Sequence, residues 1–390
     1  MAGATPQAVL AALRRVLPNR QTLPLHEPSF RGNEWRYVKD CIDTGWVSSA
    51  GGYVDRFERA LGDYVGGYAV AVTNGTAALH ACLLLAGVKA NDEVLIPTLT
   101  FIATANAVSY CGAIPHFVDS TEETLGMDPH RLAEHLAEVA LEREGACRNR
   151  NTGRRIRALL PMHTFGHPVD LDALAEIAAR YRLVLVEDAA ESLGSYYKGR
   201  HTASIGTLGA LSFNGNKVIT TGGGGAVVTG DKELAARAKH LTTTARLPHR
   251  WSFIHDEIGY NYRMPNINAA LGCAQLEELD GFLSSKRELA ARYVQAFADV
   301  AGARLFREPA FARSNYWLNT LVLDEGSASE LDAILALTNE SGIHTRPVWT
   351  PMHKLPMYAD CPRMELRVVE SLERRVVNLP SSAVLAGAPS

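Results

Sequence analysis

Residues 206–230 read G-T-L-G-A-L-S-F-N-G-N-K-V-I-T-T-G-G-G-G-A-V-V-T-G. Three apolar runs, at 208–213, 218–221 and 226–229, read as strands around one lysine, Lys217, and four consecutive glycines at 222–225. An ammonium group held among apolar neighbours loses solvation, which favours the neutral and nucleophilic amine. A lysine at a plain hairpin turn would read the same. The neighbouring segments decide between that turn and a site for a carbonyl-bearing cofactor.

Upstream, strand-like runs at 69–72, 93–97, 114–119, 158–162 and 183–187 alternate with helix-like runs at 76–85, 100–110, 129–141 and 171–180. Such alternation predicts an α/β fold with a largely parallel sheet and ligand groups at the carboxyl ends of its strands. Before it, an Ala/Leu-rich helix-like segment carrying Arg14 and Arg15 leads to an extended stretch around Pro24 and Pro28. Asn33 reads as the N-cap of a helix to Thr44, with Trp35, Val38 and Ile42 on one face and Gly45 as its stop. A loop at 46–52 precedes a helix at 53–64.

Downstream of the lysine, a helix at 232–242 and an Arg/His/Trp-rich loop lead to Pro265, which opens a helical region to residue 300. A smaller α+β module follows, with a strand at 316–323 and helices at 328–340 and 368–376. The expected division is an N-terminal helical segment and substrate loop (1–52), a large domain (53–280), and a long helix with a small C-terminal domain (281–390).

The net charge of -3 gives no reason to expect nucleic acid or an anionic membrane as partner, and no apolar run approaches a bilayer span. The arginine-rich stretch at 148–157 lacks aromatics and reads as a solvated loop. Six cysteines lack metal-ligand spacing, and Cys82, Cys111 and Cys273 sit among apolar neighbours as buried thiols. No metal site is expected. Free thiols, with an N-terminus unlike a secretory signal, suit a reducing cytoplasm.

Three strand ends carry chemistry. Thr73-Asn74-Gly75-Thr76 lies between a strand and a helix, where unpaired N–H groups and the helix dipole can hold a phosphate. It matches neither the G-x-x-x-x-G-K-[ST] loop nor the G-x-G-x-x-G turn. Val184-Leu185-Val186-Glu187-Asp188-Ala189-Ala190-Glu191-Ser192 places acids where an apolar strand ends; a carboxylate there can keep a ring nitrogen protonated, and an Asp that merely caps a helix would read alike. Phe101, after a third strand, can stack on a flat ring or belong to the core. His163 faces the same cleft or sits satisfied in the core.

E-D-A-A-E-S, then S-F-N-G-N-K-x-x-T-T-G-G-G-G, then G-Y-N-Y-R-M-P-N-I-N-A-A-L-G resembles the pyridoxal-phosphate-dependent nucleotide-sugar aminotransferases, the DegT/DnrJ/StrS family of fold type I. The resemblance runs from about residue 26 to 380. H-E-P-S-F-R-G-N-E-W, G-W-V-S-S and N-G-T-A-A-L-H resemble the branch that aminates C4 of UDP-linked 4-keto-6-deoxy-N-acetylhexosamines, of the bacillosamine and legionaminic-acid type. By this resemblance Lys217 attaches covalently to C4′ of pyridoxal phosphate and shuttles the proton, and Asp188 pairs with the ring nitrogen. Glu191 lies against the ring or its hydroxyl, at a position where many relatives carry Gln. Phe101 stacks on the ring; Gly75, Thr76 and Ser212 hold the phosphate; and Asn261 reaches the phosphate of a neighbouring subunit, implying a homodimer with shared sites.

The family's usual donor is L-glutamate, and the acceptor is a nucleotide-linked keto sugar. Contacts to that sugar nucleotide are expected from Ser48, Gly51, His163, Arg263, Asn315, Arg346, Trp349 and His353. Other acceptors stand open, 3-keto or 4-keto deoxysugars of GDP-perosamine or dTDP type, as does a non-catalytic cofactor-binding role. A sister group that dehydrates at C3 carries His in place of Lys217 and is disfavoured.

Overall fold

The computed structural model describes residues 3–387; the first two residues of the N-terminal segment and the last three of the small module lie outside the described residues. Seven strands form the central sheet: β1 (Tyr68–Val72), β2 (Glu93–Pro97), β3 (Ile114–Val118), β4 (Ile156–Leu159), β5 (Val184–Asp188), β6 (Leu208–Ser212) and β7 (Gly225–Thr229). Their order is β1-β7-β6-β5-β4-β2-β3. β7 alone runs antiparallel to its neighbours, β1 and β6; the other pairs are parallel.

Helices α1 (Pro6–Val16), α2 (Glu34–Thr44), α3 (Gly52–Val65) and α4 (Gly75–Leu85) come first, followed by α5 (Ile102–Tyr110), α6 (Pro129–Val139), α7 (Leu171–Tyr181) and α8 (Lys232–Thr242). Then come α9 (Asn266–Glu277), α10 (Leu279–Ala296), α11 (Leu331–Glu340) and α12 (Arg367–Leu372). The sheet is buried on both faces, and successive strand residues enter different cores because side chains alternate. Val70 and Val72 of β1 join the core of α4 and α8, whereas Ala69 and Ala71 join that of α3. Helix α4 is buried nearly all round, which explains its G-T-A-A-L-H-A-C-L-L-L sequence.

Strands β8 (Ala303–Leu305), β9 (Asn319–Leu323), β10 (Arg346–Pro347) and β11 (Val376–Leu379) form a second, antiparallel sheet in the order β8-β9-β11-β10. One side of this sheet shares a core with both ends of the chain. Val9, Ala12, Leu13 and Val16 of α1 pack with Tyr293 of α10, Leu321, Leu379 and Leu385.

Several expected elements differ. Residues 218–221 are β-branched yet form no strand, because Thr221 N–H bonds the Phe213 carbonyl at 3.0 Å and Thr220 N–H the Gln275 side chain at 3.3 Å, with Gly222 in the left-handed region (φ 77°). The arginine-rich stretch is a loop at 150–155, as expected, but its ends lie in strands: Arg148 and Asn149 close a hairpin of Ala140–Arg143 with Ala146–Asn149, and Ile156 opens β4. Its Asn149 is buried and donates to Glu93 Oε2 at 2.9 Å.

On α2 the apolar face is inverted. Trp35 and Ile42 are exposed, while Glu34, Tyr37 and Cys41 turn inward. The inner face is polar-lined: Gln275 donates to Glu34 at 2.7 Å, and Tyr37 Oη and Asn33 Nδ2 donate to Glu277 at 2.8 and 2.7 Å. Asn33 precedes the helix but makes no side-chain cap bond. The 265–300 region divides into α9 and α10 at Glu278. Residues 368–376 span the end of α12 and the start of β11, and β9 begins only at Asn319. Cys111 is half-buried.

Candidate active site

At the carboxyl ends of β5 and β6 lies a cleft of about 300 Å³. Gly75, Thr76, Phe101, Asp188, Glu191, Ser212, Lys217 and Trp349 line it together, drawn from five separate stretches of sequence. Its floor is the start of α4. Asn74 caps that helix, its Oδ1 accepting from Ala77 N–H at 2.8 Å, which leaves the N–H groups of Gly75 and Thr76 pointing out of the first turn. The strands approach this turn so closely that glycine is required. A Cβ on Gly75 would lie 2.8 Å from Ser212 Cβ, and one on Gly225 would lie 2.7 Å from Gly75 N. The last of the four glycines thus seats β7 against the helix start, and Ser212 Oγ lies at the cradle's edge.

Asp188 is buried at the end of β5. Thr104 Oγ1 donates to its Oδ2 at 2.6 Å and Ala190 N–H to its Oδ1 at 3.2 Å. Burial pushes its carboxyl above the usual range, opposed by those two donors and by the charges of Lys217 and His163. Among the described residues it makes no ion pair. A buried carboxylate left in this condition fits a protonated ring nitrogen, which would supply the missing cation.

Glu191 is also buried. Its Oε2 accepts from Phe165 N–H at 2.9 Å and its Oε1 from Lys217 Nζ at 3.3 Å. Burial raises its carboxyl to about 7, against the lowering influence of Lys217 and the Phe165 N–H. Lys217 Nζ also lies 3.9 Å from the centre of the Trp317 ring. The expected apolar pocket for the lysine is therefore a carboxylate on one side and an indole face on the other. Phe101, 48% exposed, stands at the cleft mouth with its ring 6.3 Å from that of Trp349.

The structure does not bring every expected residue here. His163 is fully buried: its Nε2–H donates to Glu187 Oε2 at 3.0 Å, and Nδ1 accepts from Val169 N–H at 3.4 Å. Asn315 is likewise spent, its amide donating to the Glu191 and Leu193 carbonyls at 2.9 Å each. His353 bonds Thr98 Oγ1 at 2.8 Å, away from the cleft. Ser48 is exposed and Gly51 packs on Asn266, where a Cβ would meet Asn266 Cγ at 2.2 Å. Asn261 and Arg263 are exposed outside the cleft of their own chain, 3.4 Å from each other through Arg263 Nε and Asn261 Oδ1. Arg346 lines an adjoining cavity of about 460 Å³ that shares Asn216, Trp317 and Trp349 with the first.

The model of the DegT/DnrJ/EryC1/StrS aminotransferase family matches residues 28–389. The chain belongs to this family. GDP-perosamine synthase of Escherichia coli O157:H7 is 38% identical over 361 residues, covering 92% of this chain and 93% of that protein. The enzyme of the same name from Caulobacter vibrioides is 38% identical over 365 residues, covering 93% of each. The aminotransferase TlmJ of Streptoalloteichus hindustanus superposes with a TM-score of 0.82 at 29% identity, covering 92% and 93%.

The fold is accordingly the fold type I α/β architecture. The cofactor is pyridoxal phosphate. The residues present fit it: a glycine-lined helix start with a serine for the phosphate, an unpaired buried carboxylate for the ring nitrogen, and a lysine between them. Two contributors escaped the sequence reading. Thr104 sits one turn into α5 from Phe101, and Trp317 arrives from the small module; no local pattern marks either. Among the described residues no helix is long and apolar enough to cross a membrane.

Proposed function

We propose that this protein transfers the amino group of L-glutamate to the keto carbon of a nucleotide-linked 4-keto-6-deoxy sugar, with a GDP-linked acceptor. The observation that carries the transfer is the single cleft in which Lys217, Asp188, Ser212 and the start of α4 meet. The acceptor rests on the 38% identity to two GDP-perosamine synthases over more than nine-tenths of the chain. These relatives speak against the UDP-linked N-acetylhexosamine of the bacillosamine branch as first choice.

Bound pyridoxal phosphate supplies a carbonyl that takes up the amino group and a ring that delocalises the electrons left on the donor carbon. Asp188 holds the proton on the ring nitrogen and so keeps that ring an electron sink. Lys217 Nζ would remove the proton from Cα of the donor as base and, once protonated, would serve as the acid that returns it. The N–H groups of Gly75 and Thr76 and the Ser212 hydroxyl hold the phosphate. Phe101 covers a ring face, and Trp349 narrows the mouth against water. Asn261, exposed on one chain, serves the phosphate of the neighbouring subunit in a homodimer.

The test is turnover with glutamate and a panel of GDP-, UDP- and dTDP-linked 3-keto and 4-keto sugars, with products identified by mass and NMR. The GDP-linked 4-keto sugar should give the highest kcat/KM. Preference for a UDP-linked N-acetyl sugar would restore the other branch. Substituting Lys217 with Ala should abolish turnover and the visible absorbance of bound cofactor; repeated turnover by that variant overturns the role of the lysine.

A further inference from the structure

Trp317 is held at every polar atom it has. Its backbone N–H donates to Asn315 Oδ1 at 2.7 Å, and its indole Nε1–H to the Asn216 carbonyl at 2.7 Å. Its carbonyl accepts from Lys286 Nζ at 3.1 Å. Lys286 is itself fully buried on α10, where it also donates to the Ser381 carbonyl and to His26 Nε2 at 3.0 Å. Burial lowers its ammonium to about 7, a cost that its three hydrogen bonds offset. The preceding residue, Tyr316, sits at φ 47°, strained for an aromatic, and is held there by Ser314 Oγ, which accepts its N–H at 3.0 Å.

On the other side of the lysine the same device recurs. Phe165, at φ 56°, is the residue whose N–H fixes Glu191. Two strained, non-glycine turns from distant parts of the chain therefore converge on one ammonium, one presenting a carboxylate and the other an aromatic face.

We propose that Glu191 and Trp317 form a built seat for the free ammonium of Lys217, with Trp317 a positioning residue that holds the lysine in reach of the cofactor whenever it is not bound to it. This rests on the reading of Lys217 as the amine that carries the cofactor. A ring face attracts an ammonium within about 6 Å and does so more strongly where water is thin. The seat stops the freed side chain from swinging into the adjoining cavity through Asn216 and Trp349. In this light Asn315 is the clamp of the turn that aims Trp317, rather than a contact to substrate.

The test uses full-length protein stripped of cofactor. Acetylation of Lys217 by limiting acetic anhydride at pH 7.5 is quantified by mass spectrometry against exposed Lys232. The seat withholds the amine, so Trp317→Leu should raise the relative labelling of Lys217 roughly three- to ten-fold. Trp317→Phe, which keeps a ring face and loses only the Nε1–H, should stay within about two-fold of the natural protein. Unchanged labelling in Trp317→Leu, or equal rises in both variants, overturns the seat. Both variants should regain the visible absorbance on adding pyridoxal phosphate. If they do while labelling stays flat, the seat fails and the proposed function stands; if the natural protein itself never binds the cofactor through Lys217, the function fails first.

Discussion

Glu187 and Asp188 are neighbours on β5, both carboxylates and both buried, yet their surroundings move them in opposite directions. Burial would raise the Glu187 carboxyl, but His163 and the N–H groups of Ala203, Ile205 and Gly206 outweigh it and hold it below the usual range. Asp188 has two donors and an open cleft, and burial wins. Alternation along the strand puts them on opposite faces. Saturation marks a structural carboxylate, and an unfinished donor set marks one that awaits a partner.

Substitutions should separate the two sharply. Asp188→Asn keeps the shape and loses the charge, so kcat should fall roughly 10²–10⁴-fold, with urea stability unchanged or slightly raised. A kcat within ten-fold of the natural enzyme would erase the contrast. Glu187→Ala should do the reverse, costing about 3–5 kcal/mol in urea unfolding because His163 and three N–H groups lose their acceptor, while Lys217 still binds cofactor in whatever protein folds.

Glu191 lies between the two cases. Its carboxyl rises from 4.5 to about 7 in the folded chain, so between those values the native state keeps a proton that the unfolded chain has released. Stability therefore falls as pH rises through that window. Without cofactor, Glu191→Gln should be more stable than the natural chain at pH 8, by no more than about 3 kcal/mol, and equal to it near pH 4. A gap that is constant across pH would show that the carboxyl does not titrate there. The smallest effect belongs to Phe101→Leu at the exposed mouth: cofactor affinity should weaken only about three- to ten-fold, read by absorbance titration.

Local sequence revealed the strands of the sheet, because β1 to β5 are short apolar runs alternating with helices, but not their order, since β1 pairs with the distant β7. The residues that the family resemblance singles out, Lys217, Asp188, Gly75, Thr76 and Ser212, line one cleft because strand ends in such a sheet converge. Local sequence failed where a polar side chain has two possible uses. His163 and Asn315 read as cleft residues but are consumed by Glu187 and by carbonyls, and nothing in their immediate sequence distinguishes the two fates. Residues 218–221 have strand propensity, yet Phe213 and Gln275 claim their N–H groups. The inverted face of α2 has the same origin: hydrogen bonds to α9, invisible to hydropathy, decide which side is inside. Trp317 was hidden because its meaning depends on residue 217, a hundred positions earlier.

The core beneath the second sheet joins α1 to Leu379 and Leu385. The apolar stripe of Val9, Leu13 and Val16 packs mainly on α10 and α11, so it stays uncovered until those two distant helices have been made. Until then it is an exposed apolar stripe, a natural client for a holding chaperone. A pause in translation between α1 and α10 should accordingly cost more soluble product than the same pause after α11.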